Sequence, residues 1–310
     1  MLRVLLFAFL FVPFTLCAQP AYRVWFDRAE KLFNLENPTS VTDSIARTLY
    51  LDVASAALKE ESKLAIASLT RAATICQTYK QYQAAIKYYR RSLEYNLGEL
   101  KDSTLLYEAY LYLGSAFYQL GINDSAHHYF ENASRIVELS RSPKSYPEQE
   151  RLYNSLGAIY YEGANYSQAI NYFQKALEFD SDDVETRVSL QSNIANCLVQ
   201  LRRFDEGIAI FKSLLQAKQI NRVITHNIAH AYFLKNEYDS SFHYFLKVSR
   251  QQDEVTVRML NDVSIILINK NNFPGALRAL DSSLRITNAL FNNIPSRDRA
   301  VNSLVRSTLA

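Results

Sequence analysis

The stretch LGAIYYEGANYSQAINYFQKAL, running from Leu156 to Leu177, decides the fold. Its small residues Gly157, Ala169 and Ala176 are interleaved with Tyr160, Tyr166 and Phe173. Leu156, Gly157 and Tyr160 stand at i, i+1 and i+4, and Ala169, Phe173 and Ala176 at i, i+4 and i+7. Each set is one face of a 3.6-residue period. Two antiparallel helices satisfy the pattern, with small residues where they cross and aromatics filling the space beside the crossing. Between them Glu162–Asn165 reads as a turn, with Gly163 expected as its left-handed cap.

The same pattern recurs on both sides. Upstream stand Gly114, Phe117, Ala126, Phe130 and Ala133, and before them Ala73, Cys76, Tyr82, Ala85, Tyr89 and Ser92. Downstream come Ala195, Leu198, Phe204, Gly207, Phe211 and Leu214, then Ala229, Tyr232, Tyr238, Ser241, Phe245 and Val248. A weaker copy has Ser264, Leu267, Phe273, Ala276, Leu280 and Ser283. From Ala73 through Gly114, Gly157, Ala195 and Ala229 to Ser264 the steps are 41, 43, 38, 34 and 35 residues. The excess over 34 falls in stretches such as Asn96–Asp102 and Ser140–Glu148, which read as lengthened loops. Loop growth costs little free energy, so the units keep their size. A period near 34 means stacked supersecondary units, hence an all-α solenoid whose function belongs to its surfaces.

Six positions recurring together resemble the tetratricopeptide repeat, a helix–turn–helix family of scaffold modules, over roughly Lys63 to Thr287. Two departures are visible. Tyr110 and Tyr153 stand where the family usually starts a helix with Trp, and Ser181 stands where many repeats close with proline. The resemblance implies a right-handed α-solenoid of about seven antiparallel helix hairpins. Residues 63–289 are the array of about six repeats. Residues 19–62 read as a divergent N-terminal hairpin, with Asn37-Pro38-Thr39-Ser40 as its turn. Residues 290–310 read as a capping helix or the start of another repeat, because Ala300, Val301, Leu304 and Val305 share one helical face.

Residues 1–18 are of another kind. Arg3 is followed by an apolar run from Val4 to Leu16, broken only by Pro13 and Thr15, and the segment ends Cys17-Ala18-Gln19. Thirteen residues are too few to span a bilayer, and no later stretch approaches the ~20 required. A secretory signal cleaved after Ala18 is expected, placing the mature chain in the periplasm or cell envelope. Its Ala-Gln ending resembles signals of Bacteroidetes proteins. A lipoprotein anchored through Cys17 is the less favoured reading, because the residue before the cysteine is Leu16 rather than a small one.

The remaining cysteines, Cys76 and Cys197, lie on first helices three repeats apart and are expected as buried free thiols. A net charge of +3, with Lys and Arg interleaved among Asp and Glu, excludes a nucleic-acid footprint. The 21 tyrosines fall mostly at packing positions, which favours core filling over base stacking. Six of the seven glycines occupy repeat or turn positions, and only Gly98 is left over, so no phosphate-cradling loop can be assembled. No nucleophile elbow or acid–base constellation is found, and neither an enzyme nor a cofactor is expected. His226 and His230, one turn apart, match the reach of two zinc ligands, but no third ligand is placed, so no metal is assigned.

What remains is the groove. In the repeat family first helices line a concave surface, and the resemblance places Arg71, Asn154, Tyr161, Asn193, Asn196, His226, Asn227 and His230 on it. Asn193 and Asn227 hold the same repeat position, with Ser155 and Asp262 at the equivalent places. An amide both donates and accepts, so such a ladder suits the backbone of an extended peptide. Asn that merely caps or decorates an exposed face is the competing reading. The family's lysine-rich clamp for a carboxyl terminus is not evident, which argues against a C-terminal acidic tag as ligand. An exported scaffold for a protein or peptide is therefore expected. The alternative is the N-terminal sensory region of a larger signalling protein or caspase-like peptidase whose output domain is absent here, lost or encoded separately.

Overall fold

The computed structural model describes residues 19–179, 183–216 and 221–292. Residues 1–18, read above as a secretory signal, Ser181 and the stretch after residue 292 lie outside them. Among the described residues there are fourteen α-helices and no strand, arranged as hairpins within two compact units, the chain dividing after Pro143.

The first unit holds α1 (Ala21–Phe33), α2 (Ser40–Ala56), α3 (Ser62–Thr78), α4 (Tyr82–Tyr95), α5 (Ser103–Gln119) and α6 (Asn123–Leu139). Helix α2 starts at a reciprocal cap: the Thr39 hydroxyl accepts from Thr42 N while Thr42 Oγ1 accepts from Thr39 N. This satisfies two otherwise orphaned backbone donors. Tyr50 is fully buried between α1 and α2, and its hydroxyl donates to Glu30 Oε1 at 2.7 Å. The stretch Asn96–Leu100, expected as loop, instead prolongs α4 as a single π-helical turn. The buried Asn96 amide closes that turn by donating to Asp102 O and accepting from Asp102 N, both at 2.9 Å. Asp102 in turn caps α5 through Thr104 N and Leu105 N.

The second unit holds α7 (Gln149–Glu162), α8 (Tyr166–Glu178), α9 (Val184–Gln200), α10 (Phe204–Gln216), α11 (Asn221–Leu234), α12 (Tyr238–Phe245), α13 (Glu254–Asn269) and α14 (Phe273–Asn292). Ala169, Ala176, Ala195 and Ala229 are fully buried, as their small size at helix crossings requires. A Cβ on Gly157 would lie 2.6 Å from the Phe173 ring. The tyrosines fill space by stacking: Tyr160 on Tyr172 at 5.2 Å and Tyr153 on Tyr172 at 6.3 Å between centroids. Phe273 and Leu280, read as packing residues, are instead 57% and 42% exposed. Cys76 and Cys197 are buried free thiols, and burial pushes the Cys197 thiol up to about 12.

The turn inside each repeat repeats one backbone device. Lys80, Gly121, Ala164, Arg202, Asn236 and Asn271 all have φ between 57° and 71°, and they follow one another at the same five steps as the small residues. The next residue's N–H reaches back five positions, as in Gln81 N to Cys76 O and Asn165 N to Tyr160 O. This is the closure expected of a left-handed helix end. Gly163 is not the left-handed residue, contrary to expectation: its φ is −78°, and Ala164 at 58° carries the turn. An L-residue with a side chain is strained there by roughly 1–2 kcal/mol. Ala164→Gly is accordingly expected to stabilise the chain by about 0.5–1 kcal/mol after the entropy gained by the unfolded glycine is subtracted. A urea midpoint unchanged or lowered would count against strain at this turn.

Candidate binding groove

Four first helices of the second unit, α7, α9, α11 and α13, present the residues singled out in the sequence. On α7, Asn154, Ala158 and Tyr161 stand at i, i+4 and i+7; on α9, Asn193, Asn196 and Gln200 stand at i, i+3 and i+7. Tyr161, Asn193 and Asn196 are brought together around a cleft of about 240 Å³, whose wall also includes Ala158, Glu162 and Phe173. Both asparagines are half-buried, so their amides face the cleft from fixed positions. Tyr161 meets Tyr166 edge-on at 5.3 Å. Burial pushes its hydroxyl pKa up, with a hydrogen bond from Gln200 working the other way.

Arg258 closes the cleft from α13, and the sequence reading did not include it. It lies on the same helical face as Asn261 and Ile265, at i, i+3 and i+7. Among the described residues its one carboxylate contact is loose, 3.8 Å from Glu254 with both side chains more than half exposed. The guanidinium supplies a positive charge near both Tyr161 and His226.

The histidines take different roles. His226, expected at the groove surface, is 5% exposed. Burial pushes its pKa down to about 4, so the ring is neutral at neutral pH. Its Nδ1 donates to Asn227 Oδ1 at 3.4 Å, while Nε2 is buried without a hydrogen-bond partner. His230 packs parallel to it at 6.1 Å between centroids, and His230 Nδ1 donates to Asp262 Oδ2 at 2.7 Å. Asp262 is itself buried. The equivalent positions Asn193, Asn227 and Asp262 are thus not alike. Asn193 faces a cleft, Asn227 has its carbonyl engaged by His226, and Asp262 holds a histidine. Asn154 is half-buried with a sealed, unpartnered Oδ1. Among the described residues no three His, Cys, Asp or Glu side chains converge as metal ligands.

Arg71 belongs to the first unit. Its Nε pairs with Glu30 at 3.3 Å, and its guanidinium lies 5.0 Å above the Phe33 ring, so it fastens α3 to the N-terminal hairpin. No helix among the described residues is long and apolar enough to cross a membrane.

Residues 105–182 and 66–98 match models described as tetratricopeptide repeat. No curated protein matches the chain by sequence. Among solved structures, a tetratricopeptide repeat protein from Parabacteroides merdae superposes with a TM-score of 0.59 at 17% identity, covering 94% of this chain and 100% of that one. The apo form of RapI gives 0.53 at 14% identity, over 88% of this chain and 100% of that one. PilF of Pseudomonas aeruginosa gives 0.50 at 16% identity, over 73% and 90%. At such identities the likeness establishes the helical-repeat fold and nothing finer.

Proposed function

We propose, from the premise that this chain is a tetratricopeptide-repeat protein and so a protein-binding scaffold, that it holds an extended peptide segment of its partner along the first-helix face of the second unit. The supporting observation is the cleft in which Asn193, Asn196 and Tyr161 converge with Arg258. Side-chain amides on a rigid helix offer a peptide backbone both a donor and an acceptor, and they lose little entropy on binding because packing already orders them. The work of the chain on this reading is binding, with no reaction catalysed.

Each amide–backbone hydrogen bond contributes about 0.5–1.5 kcal/mol net. For a peptide selected from a display library on the parent chain, Asn193→Ala/Asn196→Ala should therefore weaken binding roughly ten- to a hundredfold. Helix content should stay unchanged by circular dichroism, because half-exposed polar sites away from packing move stability by only about 0.5 kcal/mol. Parent-like affinity with an intact fold would move the binding site off this face.

The apolar segment Val4–Leu16 behind Arg3 supports export as part of the same proposal. Mass spectrometry of protein recovered from the native envelope should find a chain beginning at Gln19. Retained Met1, or an acylated Cys17, would sink the soluble-secreted version.

A further inference from the structure

Helix α12 is short, and a cleft opens where it stops. It spans eight residues, against thirteen in each of the second helices α8 and α10. After Phe245 the chain makes only tight turns, with Lys247 N bonded to Tyr244 O and Val248 N to Phe245 O. It then crosses to α13. Arg222 of α11 holds that crossing down: its Nε donates to Ser249 O at 2.8 Å, Nη1 and Nη2 to the two Asp253 carboxylate oxygens, and Nη2 also to Thr256 Oγ1. The early end of α12 is therefore a fixed feature and not fraying.

Where the missing turns of α12 would have packed on α13 and α14 there is a cleft of about 460 Å³, within the roughly 300–1,000 Å³ usual for small-molecule sites. Its inner wall is hydrocarbon, from Phe245, Met259, Leu260 and Val263. Two cations line it as well, Arg250 from the pinned crossing and Arg278 from α14. Nearby arginines are neutralised: Arg222 by Asp253 and Arg285 by Asp281. Among the described residues Arg250 and Arg278 have no such carboxylate, and both are exposed. A ligand that suits this cleft has an unbranched apolar body for the wall and an anionic head for the two guanidiniums, which grip carboxylates in preference to neutral groups.

We propose that this cleft binds a fatty carboxylate, its chain against Met259, Leu260 and Val263 and its head between Arg250 and Arg278. The site lies outside the cleft assigned to the peptide and does not depend on that assignment. Calorimetric titration of the purified chain with decanoate, below its micellar concentration, should show one site of micromolar affinity. Decanol should bind at least tenfold more weakly, since it keeps the chain and lacks the charge. Arg250→Met/Arg278→Met should lose at least tenfold for decanoate and leave decanol unchanged. Val263→Trp, which fills the cleft, should abolish both; Ser282→Trp at the rim serves as a second blocking variant should Val263→Trp fail to fold. No decanoate binding, equal affinity for decanoate and decanol, or parent-like affinity in the double-arginine variant would each overturn the proposal. So would release of decanoate by anionic vesicles but not by neutral ones, which would assign the arginines to a membrane surface.

Discussion

Phe173→Ala is expected to destabilise the second unit by about 3–5 kcal/mol, the range for emptying a buried aromatic site. Phe173 is 2% exposed, and its ring lies against the backbone of Gly157, where even a methyl group would approach to 2.6 Å. The pair makes a sharper test than either residue alone. Gly157→Ala in the parent should also cost about 1–3 kcal/mol, because the ring sits on the helix backbone and can give way only by disturbing the crossing. In the Phe173→Ala background the same methyl enters the space the ring has left, and its cost should fall close to zero or change sign. The coupling energy of that cycle should be at least about 1 kcal/mol, read from urea denaturation of the four proteins. Additive effects would mean that the glycine is not spacing the two helices and that the crossing is set elsewhere.

The small-then-aromatic pattern locates the crossing in the sequence, and the structure adds the specific partners, Gly157 against Phe173 and Gly114 against Phe130. Close packing leaves few alternatives to such a pairing, so the hairpins and their register could be read from residue size alone. The turn was legible only to within a residue. Gly163 was the obvious left-handed candidate, yet the left-handed position falls one residue later. The closing hydrogen bonds are counted from the helix end, which composition does not locate to a single residue. The strained residue is then Ala164, or Lys80 and Arg202 in other repeats, types that carry no turn signal.

The groove was legible as a face and not as a site. Helical spacing puts Asn154, Asn193 and Asn227 on comparable surfaces, but their hydrogen-bonding state depends on neighbours brought in by other helices. His226 removes the Asn227 carbonyl from use, and Arg258 reaches the α7–α9 cleft from two hairpins further along. The early end of α12 was equally hidden. Nothing in FLKVSR between Phe245 and Arg250 forbids helix by propensity, and the chain leaving α12 is held by a pair 31 positions apart, Arg222 with Asp253.

Arg222→Met is the second large effect expected, a loss of about 2–3 kcal/mol. The parent guanidinium makes four hydrogen bonds of 2.7–2.8 Å, two of them a bidentate grip on a carboxylate, the strong class of such contacts. Its side chain is 18% exposed and that of Asp253 35%, so solvent screening keeps the loss below that of a fully buried pair. The pH dependence identifies the charged part. Burial by itself would raise the Asp253 pKa, but the hydrogen bonds from Arg222 and Thr256 outweigh it and hold the carboxyl below its ordinary value. A carboxyl depressed in the folded state adds stability above its unfolded pKa of about 3.9, and that contribution is lost as pH falls through the folded value. The gap between parent and Arg222→Met should therefore be full at pH 7 and shrink below about pH 4. Asp253→Asn keeps a side-chain oxygen to accept from Thr256 N at the start of α13, so it should lose less than Arg222→Met at pH 7. Unfolding midpoints at pH 7 and pH 3 for the three proteins separate the terms. A gap of equal size at both pH values would assign the clamp to the neutral bonds with Ser249 O and Thr256 Oγ1, and would remove the ion pair as what holds the chain leaving α12.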